Sequence, residues 1–511
     1  MSIEQLKGVP MLVVGAGIMG VGIAQIAAQA GHRVMLHDAR EGAAVEAKAQ
    51  LGKNLDALVA KGKLTAEVVA HLLARIEPVA TLESAGSARL VVEAIVEQLE
   101  VKRALFRQLE SIVAADCVLA TNTSSISVTA IANGLQHPQR LVGMHFFNPV
   151  PLMKLVEVVA GLQTDAAVAE AIFELGKVWG KVPVHARSTP GFIVNRIARP
   201  FYAETLALLL EQAATPQVLD ACLRAAGFRM GPCELMDLIG HDTNFAVTTS
   251  VFEANFFDKR FVPSLVQREL VDGGLLGRKS GRGFYRYQGE GSGVPALPAA
   301  VHRAPATARE ASVHGDCSVA DFLEQAAKAA FAPQGWGPAR VRGSGWTGLA
   351  IDGTRLVLTD GRSAGELAAA MGVTNIAVFD RPLLLPAPAG TALAYALAGG
   401  AANAWHTQAA AWLAALGFVP LLMADTPGLV VARTVAMLIN EAADAVLQGV
   451  CTADGADAAM KLGVNYPAGP FEWLARWSVP AVVALLDAMD AQYRGERYRV
   501  SPWLRRRSEA Q

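Results

Sequence analysis

The feature of this sequence that most constrains its fold is a glycine-rich hexapeptide near the start of the chain. Residues 15–20 read Gly-Ala-Gly-Ile-Met-Gly; they follow the apolar run Pro10–Val14 and open an alanine-rich stretch with helical periodicity. A β-rich run, a turn with this glycine spacing and a helix are the parts of a strand–turn–helix unit. The sequence therefore predicts the first unit of an α/β sheet.

The three glycines of this loop have separate uses. Gly15 permits the tight turn, Gly17 lets a diphosphate approach the backbone, and Gly20 lets the helix pack on the strand. The helix N-terminus offers unpaired N–H groups and a positive dipole to that diphosphate. The predicted dinucleotide-binding residues here are Gly15, Gly17, Ile18, Met19 and Gly20.

An acidic residue follows at the spacing that a dinucleotide site requires. Asp38 ends the second predicted strand, 23 residues after Gly15. Its carboxylate can accept hydrogen bonds from the ribose hydroxyls and would repel a 2′-phosphate, so NAD is favoured over NADP. An ordinary turn with Asp38 capping a helix is the alternative, but it leaves the coincidence of strand, loop, helix and acid unexplained.

The pattern of the chain changes three times after this unit. Residues 10 to 190 alternate short apolar runs with helical periodicity, which is typical of a parallel sheet with crossover helices. The pattern is helical from Pro190 to about Gln288, and residues 289–318 are rich in Gly, Pro, Ala and Ser, as in an exposed linker. Strands are predicted near Pro10–Val14, Arg33–His37, Arg89–Glu93, Val118–Thr121 and Leu141–Met144.

The helical segment occurs twice. Thr189-Pro190-Gly191, Arg196 and Glu204 recur 237 residues later as Thr426-Pro427-Gly428, Arg433 and Glu441. Gly231-Pro232 and Glu234 recur at an offset of 238 as Gly469-Pro470 and Glu472. The repeat predicts two copies of one helical domain.

The predicted fold is an α/β N-terminal Rossmann domain and an all-α domain, followed by a degenerate α/β segment and a second all-α domain. The predicted boundaries are 1–188 for the NAD-binding domain, 189–288 for helical copy 1, 289–318 for the linker, 319–424 for the degenerate Rossmann-like segment and 425–511 for helical copy 2.

A histidine and a glutamate provide candidate chemistry. His145 follows the predicted strand Leu141–Met144, at the strand end where open parallel sheets bind ligands. Glu157 lies in an apolar run, Leu155–Val159, where a buried carboxylate needs a partner. Oxidation of an alcohol by hydride transfer requires a base for the hydroxyl proton, and histidine suits that role at neutral pH. Glu157 would orient the imidazole and stabilise its cation; a satisfied core histidine is the alternative for His145 alone.

At these residues the sequence resembles the L-3-hydroxyacyl-CoA dehydrogenase family. The resemblance covers residues 8 to about 287 and rests on three runs: Asn-Thr-Ser-Ser at 122–125, His-Phe-Phe-Asn-Pro at 145–149, and Pro-Gly-Phe-Ile-Val-Asn-Arg at 190–196. It implies NAD-dependent oxidation of L-3-hydroxyacyl-CoA to 3-oxoacyl-CoA, a step of the β-oxidation type in fatty acid metabolism. The active-site residues that it implies are Ser124, His145, Glu157 and Asn195.

The resemblance also implies contacts with the cofactor and with coenzyme A. Glu97 and Lys102 are expected at the nicotinamide end and its ribose, although a pair at a helix start would look the same. Asn122 is expected near the cofactor, and Asn148 near the substrate. Lys61 and Asn54 are expected on a helical arm that contacts coenzyme A, with a solvated lysine as the alternative. The loop 277–285 is expected to be structural.

The second half of the chain has lost this chemistry. Asn195 should recur at position 432, where the chain has Ala432, and residues 319–424 offer no phosphate loop or His–Glu pair. The run Gly343–Gly348 matches the glycine motif in letters, but the turn Asp352-Gly353 follows where a helix should start. We expect one NAD per chain and an internal pseudo-dimer of the helical copies, with a homo-oligomer of whole chains left open. By architecture the chain resembles long bacterial members tied to phenylacetate breakdown, some of which act on 3-hydroxyadipyl-CoA.

Composition excludes several other classes. Lys plus Arg total 45 against 46 Asp plus Glu, so no net field attracts nucleic acid or an anionic membrane. The five cysteines show no metal-ligand spacing, so no metal site is expected. The first residues lack a signal-peptide pattern, and the cytoplasm is the expected location.

Two other functions stay open from the sequence. A dehydrogenase of free hydroxy acids or sugar acids would keep the glycine loop but need no coenzyme A arm around Lys61. A non-catalytic dinucleotide-binding scaffold would tolerate loss of the acid–base pair, and the presence of Ser124, His145, Glu157 and Asn195 together argues against it.

Overall fold

The computed structural model describes residues 3–287, 293–294, 305 and 307–510. The chain forms two compact units. Unit 1 contains Met1–Arg196 and Ala445–Asn465, and unit 2 contains Ile197–Asp444 and Tyr466–Gln511. Across the described residues, no helix is both long enough and apolar enough to span a membrane.

The strands are, in chain order, β1 (Met11–Val14), β2 (Val34–His37), β3 (Ile76–Pro78), β4 (Leu90–Glu93), β5 (Val118–Thr121), β6 (Leu141–Phe146), β7 (Leu155–Ala160), β8 (Val182–Arg187), β9 (Ala311–His314), β10 (Ala339–Val341), β11 (Gly348–Ile351), β12 (Thr354–Leu358), β13 (Ile376–Phe379), β14 (Thr391–Leu397) and β15 (Phe418–Leu422).

The helices are α1 (Ile18–Gln29), α2 (Ala43–Ala60), α3 (Ala66–Ala74), α4 (Leu99–Ile112), α5 (Val128–Ala132), α6 (Ala166–Val178), α7 (Val194–Ile197), α8 (Arg199–Leu210), α9 (Pro216–Ala225), α10 (Pro232–Ile239), α11 (His241–Ala254), α12 (Leu265–Asp272), α13 (Ser318–Phe331), α14 (Ala364–Met371), α15 (Asn403–Ala415), α16 (Val431–Leu447), α17 (Ala453–Gly463), α18 (Pro470–Trp477), α19 (Val479–Tyr493) and α20 (Pro502–Glu509).

Unit 1 is built on a sheet of order β3-β2-β1-β4-β5-β6-β7-β8. Its strand pairs are parallel except β6 and β7, which are antiparallel. Every residue of β1, β4, β5 and β6 is buried, as expected for strands covered on both faces. The predicted Rossmann-like α/β sheet is confirmed.

Three details of this sheet differ from the sequence prediction. Strand β6 continues to Phe146 instead of ending at Met144, so His145 lies inside the strand and not after it. Strands β3 and β8 were not predicted, because β3 has only three residues and β8 contains a proline and two exposed polar positions. Strand β7 runs antiparallel to β6 because the connection 147–154 is short and contains no helix that could return the chain for a parallel pair, which periodicity does not report.

A segment from the far end of the chain completes unit 1. Helix α17, from helical copy 2, packs on β7 and β8, and the backbone N–H of Arg187 donates to the carbonyl of Val450 at 2.9 Å. A Cβ atom on Gly463 would lie 2.6 Å from the side chain of Leu155, so α17 approaches the sheet closely. The repeat alone gave no reason to expect copy 2 beside this sheet.

Unit 2 contains a second, mixed sheet of order β10-β9-β11-β12-β13-β14-β15. Strands β9, β10, β12 and β13 run in one direction, and β11 runs against β9 and β12. Strands β14 and β15 are parallel to each other, and β14 is antiparallel to β13. The run Gly343–Gly348 leads into strand β11 and not into a helix, as the sequence analysis expected.

The predicted linker over 289–318 is wrong at its C-terminal end. Ala311–His314 forms strand β9, in which Val313 is fully buried against α13 and β11. The small residues that suggested a linker are compatible with a short strand once β10 and β11 pair with it. Residues 288–292, 295–304 and 306 of the predicted linker region lie outside the described residues.

The helical part of unit 2 combines both copies. Within copy 1, α8, α9 and α10 pack together, and α11 and α12 pack on each other. Helix α9 also packs on strand β14 of the second sheet. Buried charges bridge the copies: Arg433 in α16 donates to Glu204 in α8 at 2.8 Å, and both side chains are almost fully buried.

Candidate active site

The glycine loop between β1 and α1 has the geometry that a diphosphate requires. Gly15 has φ of +104°, and a Cβ atom there would lie 2.4 Å from the carbonyl oxygen of Ala94. A Cβ atom on Gly20 would lie 1.8 Å from the carbonyl oxygen of Gly15. At Gly17, the N-cap of α1, a Cβ atom would meet nothing within 4 Å, and no side chain caps the helix. The first and third glycines are thus required by packing, and the second keeps the helix N-terminus open.

Asp38 lies half-buried at the end of β2 and is tied to this loop. Its Oδ2 atom accepts a hydrogen bond from the backbone N–H of Ala16 at 2.8 Å, and Oδ1 accepts from Arg40 N–H at 2.9 Å. The carboxylate therefore lies beside the open N-terminus of α1, where a dinucleotide's ribose follows its diphosphate. The loop and the acid fit a dinucleotide.

His145 and Glu157 face each other across β6 and β7. The antiparallel register pairs the two residues directly, so their side chains lie on the same face of the sheet. Nδ1 of His145 makes a short hydrogen bond with Oε2 of Glu157, and Glu157 is fully buried. Because a carboxylate only accepts, Nδ1 carries the proton, and Nε2 is the ring atom that can accept another.

Glu157 is itself held by the start of the helical segment. Its Oε1 atom accepts from the backbone N–H groups of Ile193 and Val194, both at 3.0 Å. The imidazole also contacts the rings of Phe147 and Phe192, at centroid distances of 4.6 and 5.8 Å. The orientation of His145 is therefore determined by a carboxylate with three hydrogen bonds and by two aromatic neighbours.

The imidazole lines a cleft of about 350 Å³ together with most of the predicted site residues. Asn195 donates from Nδ2 to the carbonyl of Ser124 at 3.5 Å, and Asn122 accepts from the backbone N–H of Phe146 at 2.8 Å. The predicted residues in this cleft besides His145 are Met19, Glu97, Lys102, Asn122 and Ser124, with Asn148 and Asn195.

Glu97 and Lys102 belong to a charged network at the edge of this cleft. Lys102 is buried; Nζ donates to Glu93 at 2.6 Å and lies 3.2 Å from Glu97. Burial works to raise the pKa of Glu97, but the charge of Lys102 and hydrogen bonds from Thr123, Ser124 and Ser125 lower it to about 2. Glu97 therefore stays ionised and organises the loop that carries Ser124.

Glu93 is a site residue that the sequence analysis missed. It is fully buried at the end of β4 and accepts from Lys102, from Thr121 Oγ1 at 2.7 Å and from the backbone N–H of Ile95 at 2.7 Å. The signal that identified Glu157, a carboxylate in an apolar strand, also applies to Glu93.

The two residues predicted to contact coenzyme A, Asn54 and Lys61, lie in different surroundings. Asn54, in α2, accepts from Gln50 at 3.0 Å and lines a neighbouring cleft of about 300 Å³ with Gly17, Ile18 and Asn148. Lys61 is the exposed C-cap of α2 and lies outside both clefts. The structure thus brings Asn54 to the glycine loop and leaves Lys61 on the surface of the α2–α3 arm.

The segment of copy 2 in unit 1 also supports this site. Gln448 Oε1 accepts from Arg196, the neighbour of Asn195, at 2.8 Å. A Cβ atom on Gly463 would lie 3.1 Å from the side chain of Val194 and 3.7 Å from Phe147. The sequence gave no signal for these contacts, because the residues are more than 250 positions apart.

The corresponding place in the second half has a different arrangement. Asp380 directly follows β13 and accepts from the backbone N–H groups of Val430, Val431 and Ala432. Val430 and Val431 are the repeat counterparts of Ile193 and Val194, which bind Glu157. Asp380 thus supports the start of a helix as Glu157 does, and each hydrogen bond to its carboxylate among the described residues comes from a backbone N–H group. No set of three His, Cys, Asp or Glu side chains in the described residues could hold a metal ion.

The fold and the site together define a class of protein. An open glycine loop at a helix N-terminus, an acid at the second strand and a carboxylate-bound histidine in the adjoining cleft define a nicotinamide dinucleotide-dependent dehydrogenase.

Comparisons with known protein families specify this class further. The profile of the 3-hydroxyacyl-CoA dehydrogenase NAD binding domain matches residues 11–189, and that of the C-terminal domain of the same family matches residues 191–287 and 428–511. A profile described as the 3-hydroxybutyryl-CoA dehydrogenase reduced Rossmann-fold domain matches residues 356–427.

Individual relatives give the same result. The chain is 44% identical over 497 residues, 97% of its length and 96% of the relative's, to the 3-hydroxyadipyl-CoA dehydrogenase of Escherichia coli K12. It is 43% identical over 276 residues, 54% of this chain and 99% of the relative, to a probable 3-hydroxybutyryl-CoA dehydrogenase of Deinococcus radiodurans. The crystal structure of a 3-hydroxybutyryl-CoA dehydrogenase from E. coli K12 superposes with a TM-score of 0.87 at 42% identity, covering 98% of both chains.

The chain belongs to the 3-hydroxyacyl-CoA dehydrogenase family. The family, the NAD dependence and the dehydrogenase activity expected from the sequence are confirmed.

Proposed function

We propose that this protein oxidises L-3-hydroxyacyl-CoA to 3-oxoacyl-CoA in the cleft that contains His145. The observation that carries the proposal is the buried pair of His145 and Glu157, which leaves Nε2 of the imidazole as the proton acceptor. A hydroxyl group in this cleft can lose its proton to Nε2, while Glu157 stabilises the imidazolium that forms. Bound NAD would supply the hydride acceptor for the carbon that bears the hydroxyl group.

The remaining residues of the cleft position the substrate. We assign Ser124 and Asn195 to hydrogen bonds with the 3-oxygen or the thioester carbonyl, and Asn148 to the substrate side of the cleft. Their polar atoms hold the oxygen as the carbon becomes planar, without taking a proton themselves. Asn54 and Lys61 are proposed to contact coenzyme A. The proposed contact of Asn54 is supported by its position in the neighbouring cleft, whereas that of Lys61 is supported only by the family resemblance.

The proposed cofactor-binding residues form three groups, each of which contacts a different part of the dinucleotide. We assign the diphosphate to the open N-terminus of α1, formed by Gly15, Gly17 and Gly20 with Ile18 and Met19. Asp38 would accept from the hydroxyls of the ribose next to adenine. Glu97, Lys102 and Asn122 would hold the ribose at the nicotinamide end, where Lys102 supplies the nearest buried cation.

We propose a 3-hydroxyadipyl-CoA type substrate within this class, in breakdown of aromatic compounds such as phenylacetate. The support is a relative of that name that matches 97% of the chain. The relative of known structure is named for 3-hydroxybutyryl-CoA, so chain length is the property to measure. The cytoplasmic location also stays a prediction, as do the domain boundaries given above other than the C-terminal end of the linker.

A substrate panel tests the function. Formation of reduced nicotinamide is followed by absorbance with NAD and 3-hydroxyacyl-CoA thioesters from butyryl to adipyl, beside the corresponding free acids. We expect turnover of thioesters only, with the highest kcat/KM for 3-hydroxyadipyl-CoA. Turnover of free acids alone would indicate a hydroxy-acid dehydrogenase, and no turnover at all would indicate a binding protein. Equal kcat/KM across the thioesters would contradict the adipyl assignment only.

We infer further that the helical copies pack as an internal pseudo-dimer. Arg260 pairs with Glu441 at 3.5 Å, and Arg497 pairs with Glu204 at 2.9 Å. Arg497 follows Arg260 by 237 residues, and Glu441 follows Glu204 by the same number. Such reciprocal contacts, in which each copy gives an arginine to the other's glutamate, are typical of a two-fold interface.

A further inference from the structure

The second sheet has a cleft that the dehydrogenase reaction does not use. This cleft, the second-sheet cleft, is lined by Ser318, Arg381–Pro386, Arg476 and Trp477, all in unit 2. Its volume is about 470 Å³, within the range of small-molecule sites. It therefore has room for a ligand of nucleotide size.

The cleft lies at the ligand-binding edge of its sheet. Strands β9 and β13 run in the same direction, α13 begins at Ser318 just after β9, and Arg381 follows β13 by two residues. Open α/β sheets bind ligands outside the carboxyl ends of such strands, next to the first helix. Helix α13 has 14 residues, and its N-cap Cys317 makes no side-chain cap. The edge that binds a dinucleotide in an intact fold is thus accessible here.

The cleft contains two arginines, Arg381 and Arg476, whose positive charge the described residues offset only in part, through Asp380 next to Arg381. The guanidinium of Arg381 lies 4.7 Å from the centre of the Trp477 ring, and its Nε atom is buried without a hydrogen-bond acceptor among the described residues. The adjacent carboxylate, Asp380, is occupied by backbone N–H groups. Burial also lowers the pKa of Arg381. Because Asp380 is committed to backbone N–H groups and the buried Nε atom of Arg381 has no acceptor among the described residues, an anionic ligand would stabilise this partly buried guanidinium.

The charge is specific to the second copy. At the repeat offset of 238, Arg476 and Trp477 correspond to Leu238 and Ile239 of the first copy. If the second copy had only lost its original binding site, the replacement of this apolar pair by an arginine and a tryptophan would not be expected. Arg476 is exposed at the end of α18, where it can reach an anion in the cleft.

We propose that the second-sheet cleft binds the adenosine diphosphate portion that NAD and coenzyme A share. Arginines match phosphate oxygens with paired N–H donors, and the N-terminus of α13 adds backbone donors. Leu383, Leu385 and Pro386 supply the apolar wall that a flat base requires. The chain then holds two nucleotide sites, one catalytic and one in the reduced fold.

Counting bound ADP tests this proposal in the full-length protein. We expect two ADP per wild-type chain by equilibrium dialysis, and one per chain after the double change Arg381→Gln and Arg476→Ala, with kcat unchanged. Gly17→Asp is the converse variant, because Gly17 has extended backbone angles and open space for an aspartate whose charge repels a diphosphate. It should bind one ADP and lose dehydrogenase activity.

Controls separate the cleft from general charge effects and from misfolding. Arg506→Ala removes an exposed arginine elsewhere in unit 2 and should still bind two ADP. Arg476→Ala alone keeps Arg381 and should weaken the second ADP at least about tenfold, the loss expected for one charged hydrogen bond. One ADP per wild-type chain, or two in the double arginine variant, would overturn the proposal.

The Gly17→Asp variant is used to determine which molecule, NAD or CoA, provides the ADP portion that the second-sheet cleft binds. CoA and NAD are titrated separately into the Gly17→Asp variant with and without the double change Arg381→Gln and Arg476→Ala, and the molecule whose binding is lost with the two arginines is the ligand of the second-sheet cleft. If ADP binds but neither CoA nor NAD does, the assignment to these two molecules is wrong.

Discussion

Replacing Glu157 by glutamine keeps the size and shape of the side chain but exchanges its buried negative charge for a neutral amide that can donate hydrogen bonds. In the structure Glu157 makes three hydrogen bonds, two from the backbone N–H groups of Ile193 and Val194 and one with Nδ1 of His145. The Oε1 atom of a glutamine can keep the two backbone bonds. Its amide N–H₂ group must then donate to Nδ1, which moves the imidazole proton to Nε2. The base can no longer accept a proton where the substrate needs it.

The expected loss follows from this change of tautomer. We expect kcat to fall by about 10²–10⁴-fold in Glu157→Gln, equivalent to about 3–5 kcal/mol of activation free energy. The dissociation constant of NADH and the Tm should stay close to wild type, because the cofactor loop and the backbone hydrogen bonds are intact. Initial rates with NAD and a 3-hydroxyacyl-CoA, NADH fluorescence and thermal unfolding measure these three quantities.

Unit 1 contains a matched control for this variant. Glu170 pairs with Nε2 of His185 at 3.3 Å, but both side chains are more than half exposed. Glu170→Gln makes the same chemical change in a histidine–glutamate pair away from the cleft, and it should leave kcat unchanged. If Glu157→Gln kept kcat within about threefold of wild type with Tm and NADH binding preserved, Glu157 would not control the base.

Other parts of the structure give further predictions. Asp38→Ala should raise the KM for NAD about tenfold or more and increase the kcat/KM for NADP relative to NAD; an unchanged preference would remove Asp38 from the site. Because the folded-state pKa of Glu97 is lowered to about 2, its stabilisation is complete above about pH 5 and declines as pH falls toward 2; the Tm difference between wild type and Glu97→Gln should therefore shrink on acidification, and a constant difference would contradict this. Arg260→Met removes the guanidinium that pairs with the buried carboxylates Asp444 and Glu441 and should cost about 3–5 kcal/mol of unfolding free energy, whereas Arg268→Met, in an exposed pair, should change Tm little; similar Tm values for both would argue against the buried interface.

The local parts of this fold could be predicted from the sequence. The glycine loop depends on residues within one strand–turn–helix unit, and Gly15 and Gly20 are required by contacts inside that unit. Glu157 was identified because a carboxylate in an apolar strand needs a partner, and the register of β6 and β7 provides His145. These inferences use neighbours in sequence or adjacent strands, where periodicity and burial leave few alternatives.

The parts that the sequence did not predict depend on distant contacts. Strand β9 is stabilised by β10 and β11, and its own four residues carry too little pattern to be recognised. Gln448 contacts Arg196 across about half of the chain, and the repeat did not indicate on which sheet α17 packs. Glu93 is an acidic residue in an apolar run of the sequence, but its role depends on a hydrogen bond from Lys102, nine residues later in α4, which the sequence pattern does not show.

The most direct test of the central claim is the turnover of His145→Gln with NAD and a 3-hydroxyacyl-CoA, measured beside NADH binding to the same protein. Glutamine fills a similar volume but cannot accept the hydroxyl proton as a base. We predict that kcat falls by about 10²–10⁴-fold while NADH binds as in wild type. Full turnover with NADH still bound would contradict the assignment of His145 as the base, and with it the mechanism proposed for this cleft.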